Sequence, residues 1–332
     1  MNSNIKAVGL LSGGLDSMLA AALVKNQGIE VLGMFFSMPW GCGDEERVKK
    51  IAEIIGIKLV LFRLDEDYLE IVKNPLHGRG AALNPCIDCK IYMLKKANKY
   101  MSEIKADFVF TGEVIGQRPM SQLKHSLRAI EKRSQLEGKL LRPLSAKLFP
   151  PTIAEENKWI DREKLLNISG RSRKEQFALA KQFAISGFTQ PAGGCLLTDK
   201  NFSNRLKDLW KHGFRDLNDI TSLRWGRHFR LADKHKAIVG RDEKENDLLL
   251  KYANPDDIIL DLPGDIGPTV VITGNGPDER TIALAAGLAK RFSKKRGQND
   301  LEAEYRKKSD LNKIYTVNVQ SIEESLINKL KL

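Results

Sequence analysis

A short apolar run, Ala7-Val8-Gly9-Leu10-Leu11, leads directly into Ser12-Gly13-Gly14-Leu15-Asp16-Ser17. No other stretch of the chain restricts the fold as much. Two adjacent glycines let the backbone turn sharply and bring its amides close to a ligand, and Ser12 and Ser17 place hydroxyls at the start of the following helix. A nest of this kind holds phosphate. Asp16 would repel a bare phosphate, so it implies a magnesium ion, or a ribose or leaving-group contact, beside it. The spacing is neither Gly-x-x-x-x-Gly-Lys nor Gly-x-Gly-x-x-Gly. The bland alternative is a glycine-rich strand-to-helix turn with no ligand.

The pattern around this turn is alternating. Apolar runs at 5–11, 30–37, 58–64 and 107–112 read as buried strands, and segments such as 16–28 and 46–56 have helical spacing. The implied fold class is α/β, a parallel sheet with helices on both faces that binds ligands at the carboxyl ends of its strands. Near residue 150 the texture changes: a Pro-Pro pause precedes two short helices. From about residue 200 candidate strands at 225–231, 235–241, 257–262 and 268–274 precede a helix at 279–292, which describes a smaller C-terminal α+β domain. The expected division is 1–150, a helical extension over 151–199, and 200–332. Residues 293–313 read as an exposed charged connector or a solvated helix.

At 332 residues the chain is long enough for two or three domains. The formal net charge of +12 favours a polyanionic partner, because clustered cations release counterions from nucleic acid. No apolar run approaches the roughly 20 residues that cross a bilayer, so the expected setting is the cytoplasm, with no membrane partner. Four cysteines are too few for a disulfide framework. Cys86 and Cys89 stand at Cys-x-x-Cys spacing at the start of an apparent helix, where the dipole is expected to favour thiolate, the form that binds metals and attacks electrophiles. Cys42 is expected to be a small packed side chain.

The segment Ser12–Ser17 after a first strand resembles the pyrophosphate loop (PP-loop) of the ATP pyrophosphatase superfamily. That resemblance implies the adenine nucleotide alpha hydrolase-like fold, and ATP bound by Ser12, Gly13, Gly14, Leu15, Asp16, Ser17, Gly112 and Gln117, with Asp16 holding Mg2+. Asn84-Pro85-Cys86-Ile87-Asp88-Cys89 is similar to the Asn-Pro-x-x-x-Cys stretch of tRNA 2-thiouridylases, which implies that Cys89 is catalytic and that Cys195 is its partner. Gly112, Glu113, Gly116, Gln117, Ser121 and Gln122 resemble a segment of 4-thiouridine synthetases, as does Arg142-Pro143-Leu144. Residues 1 to about 198 look most like a thiouridylase-like group bearing Gly-Gly-Cys195-Leu-Leu-Thr-Asp. The turn Gly240-Arg241, with Asn246 in the next helix, resembles the RNA-binding domain of NFACT proteins.

Cys86, Cys89 and Cys195 admit a [4Fe-4S] cluster held through three irons, or a persulfide on one cysteine resolved by another. The full trio weighs toward the cluster. A zinc site would draw a fourth ligand from Cys42 or His77. Arg118, Arg142 and Lys147 are candidate phosphate-neutralising cations, each weighed against a solvated surface charge. Arg171, Arg173, Lys174, Arg227 and Arg230 are candidate RNA contacts, weighed against plain solvated faces; Trp225 and Phe229 interleave with the last two but by default face a core.

These readings imply an ATP-dependent tRNA uridine sulfurtransferase that releases AMP and pyrophosphate. Its sulfur would come from inorganic sulfide or a cysteine desulfurase relay, and a homodimer stays open. The competing readings are a PP-loop enzyme acting on a small molecule and a non-catalytic ATP-sensing RNA-binding protein.

Overall fold

The computed structural model describes residues 5–40, 45–64, 66–186, 195–213, 216–264 and 267–332. The chain divides into two compact units, Met1–Thr198 and Asp199–Leu332. Among the described residues no helix is long and apolar enough to cross a membrane.

The first unit contains, in order, β1 (Lys6–Leu10), α1 (Leu15–Lys25), β2 (Glu30–Ser37), α2 (Glu45–Ile55), β3 (Lys58–Arg63), α3 (Glu66–Lys73), α4 (Cys86–Glu103), β4 (Phe108–Thr111), α5 (Lys124–Arg133), β5 (Leu140–Leu141), α6 (Ile153–Glu156) and α7 (Lys174–Gln182). The sheet order is β3-β2-β1-β4-β5, parallel throughout, with Val8 registered on Leu32 to one side and Val109 to the other. The expected parallel α/β architecture is present. Chain order reverses across β1, so the loops leaving β1 and β4 flank the crevice where such sheets bind ligands.

Helix α1 fixes that crevice. Ala20, Ala21 and Val24 pack toward the sheet with Phe108 and Phe110, and small alanines let the helix approach closely. Leu15, Met18 and Leu19 bury against Ile51, Val114, Leu144, Ile168 and Ala180, so residues beyond the Pro150-Pro151 pause cover the other face of α1. Full burial of each such Leu or Met contributes about 1.5–3 kcal/mol, which holds the phosphate turn on a rigid base.

The second unit contains α8 (Lys200–His212), α9 (Leu217–Ser222), β6 (Arg227–Ala232), β7 (His235–Val239), α10 (Glu243–Tyr252), β8 (Ile258–Asp261), β9 (Val270–Thr273), α11 (Glu279–Phe292), β10 (Leu301–Lys307), β11 (Asp310–Val319) and α12 (Glu324–Leu330). Its six strands form an antiparallel sheet ordered β11-β10-β8-β9-β7-β6. Alternation divides the strands between two faces: Val239, Val270 and Ile272 meet Ala285, Ala286 and Ala289 of α11, while Ile238, Ile259 and Val271 meet Leu249 of α10. The stretch 293–313, expected to be a charged connector or helix, supplies β10 and the start of β11 instead. Leu301, Ala303 and Tyr305 do alternate toward the core, but Glu302, Glu304 and Arg306 between them hide the period of two.

Candidate functional site

The turn after β1 braces itself. Gly13 takes φ +74°, the left-handed region that side chains avoid. Ser17 Oγ accepts from Ser12 N at 3.2 Å and donates to Gly14 O at 2.9 Å, and Ser12 Oγ lies 3.3 Å from Ser17 Oγ. Gly14 caps α1 without any side chain closing the cap, so the first-turn amides stay open to an anion. Leu15 is fully buried in the core; only its backbone belongs to the turn. Gly112, at the end of β4, presses on the same turn: a Cβ there would stand 2.4 Å from Asp16 C and from Ser17 N. We expect Gly112→Ala to displace the turn at a stability cost of about 1–3 kcal/mol, read by urea unfolding. An unchanged unfolding midpoint would show that the turn tolerates the shift.

Asp16 is the hub of the site. Its Oδ2 accepts from Gln117 Nε2 at 3.0 Å and from Arg173 Nη2 at 2.8 Å. Its Oδ1, Gln117 Oε1 and Arg173 Nε are all buried without a hydrogen-bond partner. Buried polar atoms are ordinarily paired, so three orphans around one carboxylate describe a polar cradle with bonding capacity to spare. Arg173 reaches this place because the strand-like bridge between Ile115 and Ser169, with Gly170 N donating to Ile115 O at 2.8 Å, ties the segment before α7 to the loop after β4. Sequence reasoning put Arg173 among the RNA contacts; the structure sets it on Asp16. Arg171 and Lys174 are exposed beside it.

Glu113 lies behind the turn. It accepts from Lys90 Nζ at 2.6 Å, Thr111 Oγ1 at 3.2 Å and Arg142 Nε at 3.3 Å, and Arg142 Nη1 reaches Glu131 at 2.8 Å. Burial alone would raise the Glu113 carboxyl, yet Lys90 and Arg142 hold it below its usual value. Arg142 is therefore a buried structural cation rather than a phosphate ligand. Lys147 likewise pairs with Glu163 at 3.0 Å, and Arg118 is exposed. Lys90 was missed in the sequence; its position directly after Cys89 was the available signal.

Cys86 opens α4, and Cys89 N donates to Pro85 O at 2.8 Å. A helix that returns the chain to a parallel strand begins at the carboxyl edge of the sheet, so these thiols belong to the same edge as the phosphate turn. The segment of Cys195 is tied to the loop before α4 by Leu83 N donating to Leu197 O at 3.0 Å. Cys86, Cys89 and Cys195 stand outside any disulfide, and the first and last act electrostatically on Cys89. Desolvation pushes Cys89 up to about 12, its hydrogen bond with Tyr68 works against this, and the charges of Cys86 and Cys195 add to the rise. The expected low thiol pKa at the helix start is thus corrected: burial outweighs the dipole.

Among the described residues no three His, Cys, Asp or Glu side chains are gathered tightly enough to hold a single metal ion. A [4Fe-4S] cluster separates its cysteine sulfurs further than one ion does, and its cationic irons supply the charge that three crowded thiolates lack. Cys86, Cys89 and Cys195 are the residues of this unit that could hold such a group. His77 is already held by Asp88, with Nδ1 2.6 Å from Oδ1, and Cys42 lies outside the described residues.

In the second unit Arg230 pairs with Asp208 and Arg227 lies 4.7 Å over the Phe292 ring. Phe229 is core, and Trp225 stacks on Tyr252 at 5.1 Å. Asn246 Oδ1 accepts from Thr269 N at 3.2 Å, which seats the turn at Gly240.

Comparison with known proteins separates the two units. Residues 2–147 match the family model of the thiamine biosynthesis protein ThiI, and residues 226–329 match the NFACT protein RNA binding domain. A tRNA-specific 2-thiouridylase MnmA from Sulfurimonas denitrificans is 34% identical over 113 residues, covering 32% of this chain and 33% of that one. Another from Lactobacillus johnsonii is 26% identical over 229 residues, covering 62% and 56%. The chain thus spans from a third to somewhat over half of the length of these relatives. A 4-thiouridine synthetase solved as an RNA complex with bound ATP is 25% identical, with 54% of this chain and 51% of that chain covered at a TM-score of 0.36.

Proposed function

We propose, for a chain whose first unit is a thiouridylase-like PP-loop domain and whose second is of the NFACT RNA-binding type, that it is an ATP-dependent tRNA uridine sulfurtransferase. The observation that carries this reading is the placement of Cys86 and Cys89 at the start of α4, with the segment of Cys195 tied to the loop before that helix, in the unit that holds the glycine-rich turn. A phosphate turn alone would serve an amide-forming enzyme equally well.

The reaction follows from the groups present. The open amides of α1 receive the phosphates of ATP, and Arg173 moves its unpaired Nε toward them while Gln117 keeps Asp16 oriented. Asp16 Oδ1 is the oxygen that would hold Mg2+, whose charge offsets that of the departing pyrophosphate. The uracil carbonyl oxygen attacks the α-phosphorus, and pyrophosphate leaves with the bonding pair. The oxygen, a poor leaving group before, departs as AMP when sulfur adds to the ring carbon. Cys86, Cys89 and Cys195 would hold a [4Fe-4S] cluster, which supplies an iron that binds sulfide. The buried Glu113–Lys90 pair keeps the cysteine helix registered against β4.

The test is ATP–pyrophosphate exchange with and without tRNA, together with detection of thiouridine in the product. Exchange is expected to require tRNA, and Asp16→Asn is expected to lower it by about 10²-fold or more. Exchange that ignores tRNA and responds to a small acceptor would assign the chain to the small-molecule branch. A brown protein with broad visible absorption after anaerobic purification supports the cluster, and a colourless protein that still thiolates supports a persulfide on Cys89.

A further inference from the structure

The second unit carries arginines that the reaction above leaves unused. Elsewhere in that unit arginines meet carboxylates: Arg230 on Asp208, Arg306 on Asp261 at 2.8 Å, Arg291 on Glu324 at 3.0 Å. A different arrangement surrounds the turns before β6 and after β7. Arg205 Nη1 donates to Leu223 O at 3.0 Å, Arg241 Nη2 to Gly226 O at 2.9 Å, and Arg227 Nη1 to Gly240 O at 3.4 Å. A carbonyl orients a guanidinium without cancelling its charge.

Two carboxylates act on this group: Asp199 on Arg205, and Glu245, which is heavily committed. Its Oε2 accepts from the backbone N of Gly226 and of Arg241, both at 3.0 Å, while Oε1 stands 3.3 Å from Arg241 Nη1. The arginines feel one another: desolvation first, and then the charge of Arg241, lower both Arg205 and Arg227 from the usual arginine value. Arg205 Nε is buried with no hydrogen-bond partner. Arg227 is flattened over Phe292, and Arg241 keeps 45% of its side chain exposed. Three guanidiniums oriented by carbonyls, with Arg241 exposed and Arg205 and Arg227 half-buried, match an anion with several oxygens.

We propose that Arg205, Arg227 and Arg241 form a binding site for the phosphodiester backbone of RNA. The proposal rests on the tRNA reading above and gives the second unit its contact surface. It also separates two residues that look equivalent in sequence: Arg227 belongs to the site, and Arg230, neutralised by Asp208, does not. The Trp225–Tyr252 stack, with Arg224 4.9 Å over Trp225, borders the same turn.

The experiment is a salt series of binding to unfractionated tRNA by the full chain and by Arg227→Gln, Arg241→Gln and Arg306→Gln. Each of the first two is expected to weaken binding about 5–30-fold at low salt and to make the slope of log K against log salt shallower by about 0.7–0.9. Arg306→Gln is expected to leave the slope unchanged, and Arg227→Lys to retain it, with melting temperatures matched across the set. If the unaltered chain binds tRNA and Arg227→Gln and Arg241→Gln keep its slope, the site is elsewhere and the sulfurtransferase reading stands. If the unaltered chain binds no tRNA, that reading fails and takes the site with it. Displacement of tRNA by millimolar inorganic phosphate at constant ionic strength would mark a single-anion pocket and overturn the backbone assignment.

Discussion

Cys89→Ala is expected to reduce thiouridine formation by at least about 10³-fold while tRNA-dependent ATP–pyrophosphate exchange stays within about threefold. The two readouts separate because the residue has no part in the phosphate turn. Cys89 sits in the first turn of α4, where alanine is a good helix former, so a folding defect is not expected and a thermal melt checks this. Tyr68, Cys86, Cys195 and Lys90 act on it, whereas Asp16 is held by Gln117 and Arg173. Loss of exchange together with thiolation would assign Cys89 to the support of the fold and remove the thiol trio from the chemistry. Cys86→Ala and Cys195→Ala distinguish the two sulfur mechanisms: a cluster needs all three cysteines, whereas a persulfide relay between Cys89 and Cys195 tolerates loss of Cys86.

The largest expected effect on stability comes from Arg142→Met. Arg142 is 3% exposed and neutralises Glu113 and Glu131 together, while Nη2 donates to Leu127 O at 3.1 Å. Removing one partner of a buried ionic group leaves charge without compensation, which costs about 3–5 kcal/mol. A loss under about 1 kcal/mol in urea unfolding would mean that Lys90 alone satisfies Glu113. The pH dependence has a definite sign. Glu113 is held below its usual value of 4.5 in the folded chain, so its contribution is complete above that value and is lost as pH falls through the lower folded value. Arg142→Met relaxes the depression, so the variant is expected to lose less stability than the parent over the interval below pH 4.5. An unaltered acid limb would deny Arg142 this role.

Much of the fold could be read locally. The strands β1 to β4 are dense in Val, Leu and Phe and fall where the apolar runs lie, whereas the two-residue β5 was not marked by any of them. The hairpin β10–β11 was missed because its outward positions carry charge, so a real alternation looked like a solvated connector. The glycine-rich turn was equally plain: the left-handed backbone at residue 13 favours glycine, and the hydroxyls of Ser12 and Ser17 brace residues within five positions of each other. The cation assignments went differently. Arg142 resembled a phosphate ligand and is buried between carboxylates, and Arg227 and Arg230, three residues apart on β6, have opposite surroundings.

The division follows from the range of the forces involved. Glycine conformations, hydroxyl spacing and hydrophobic period are set by neighbours along the chain, so the residue order alone specifies a glycine-rich turn on a parallel α/β sheet and an α+β unit after it. The ionic environment of a side chain depends on whatever the fold brings near it. Arg173 meets Asp16 across 157 positions, Cys195 comes to Cys89 from beyond α7, and Cys89 is held as a thiol by burial that outweighs its place at a helix start. Desolvation and Coulomb interaction act through space, and only the folded chain decides which charges they join.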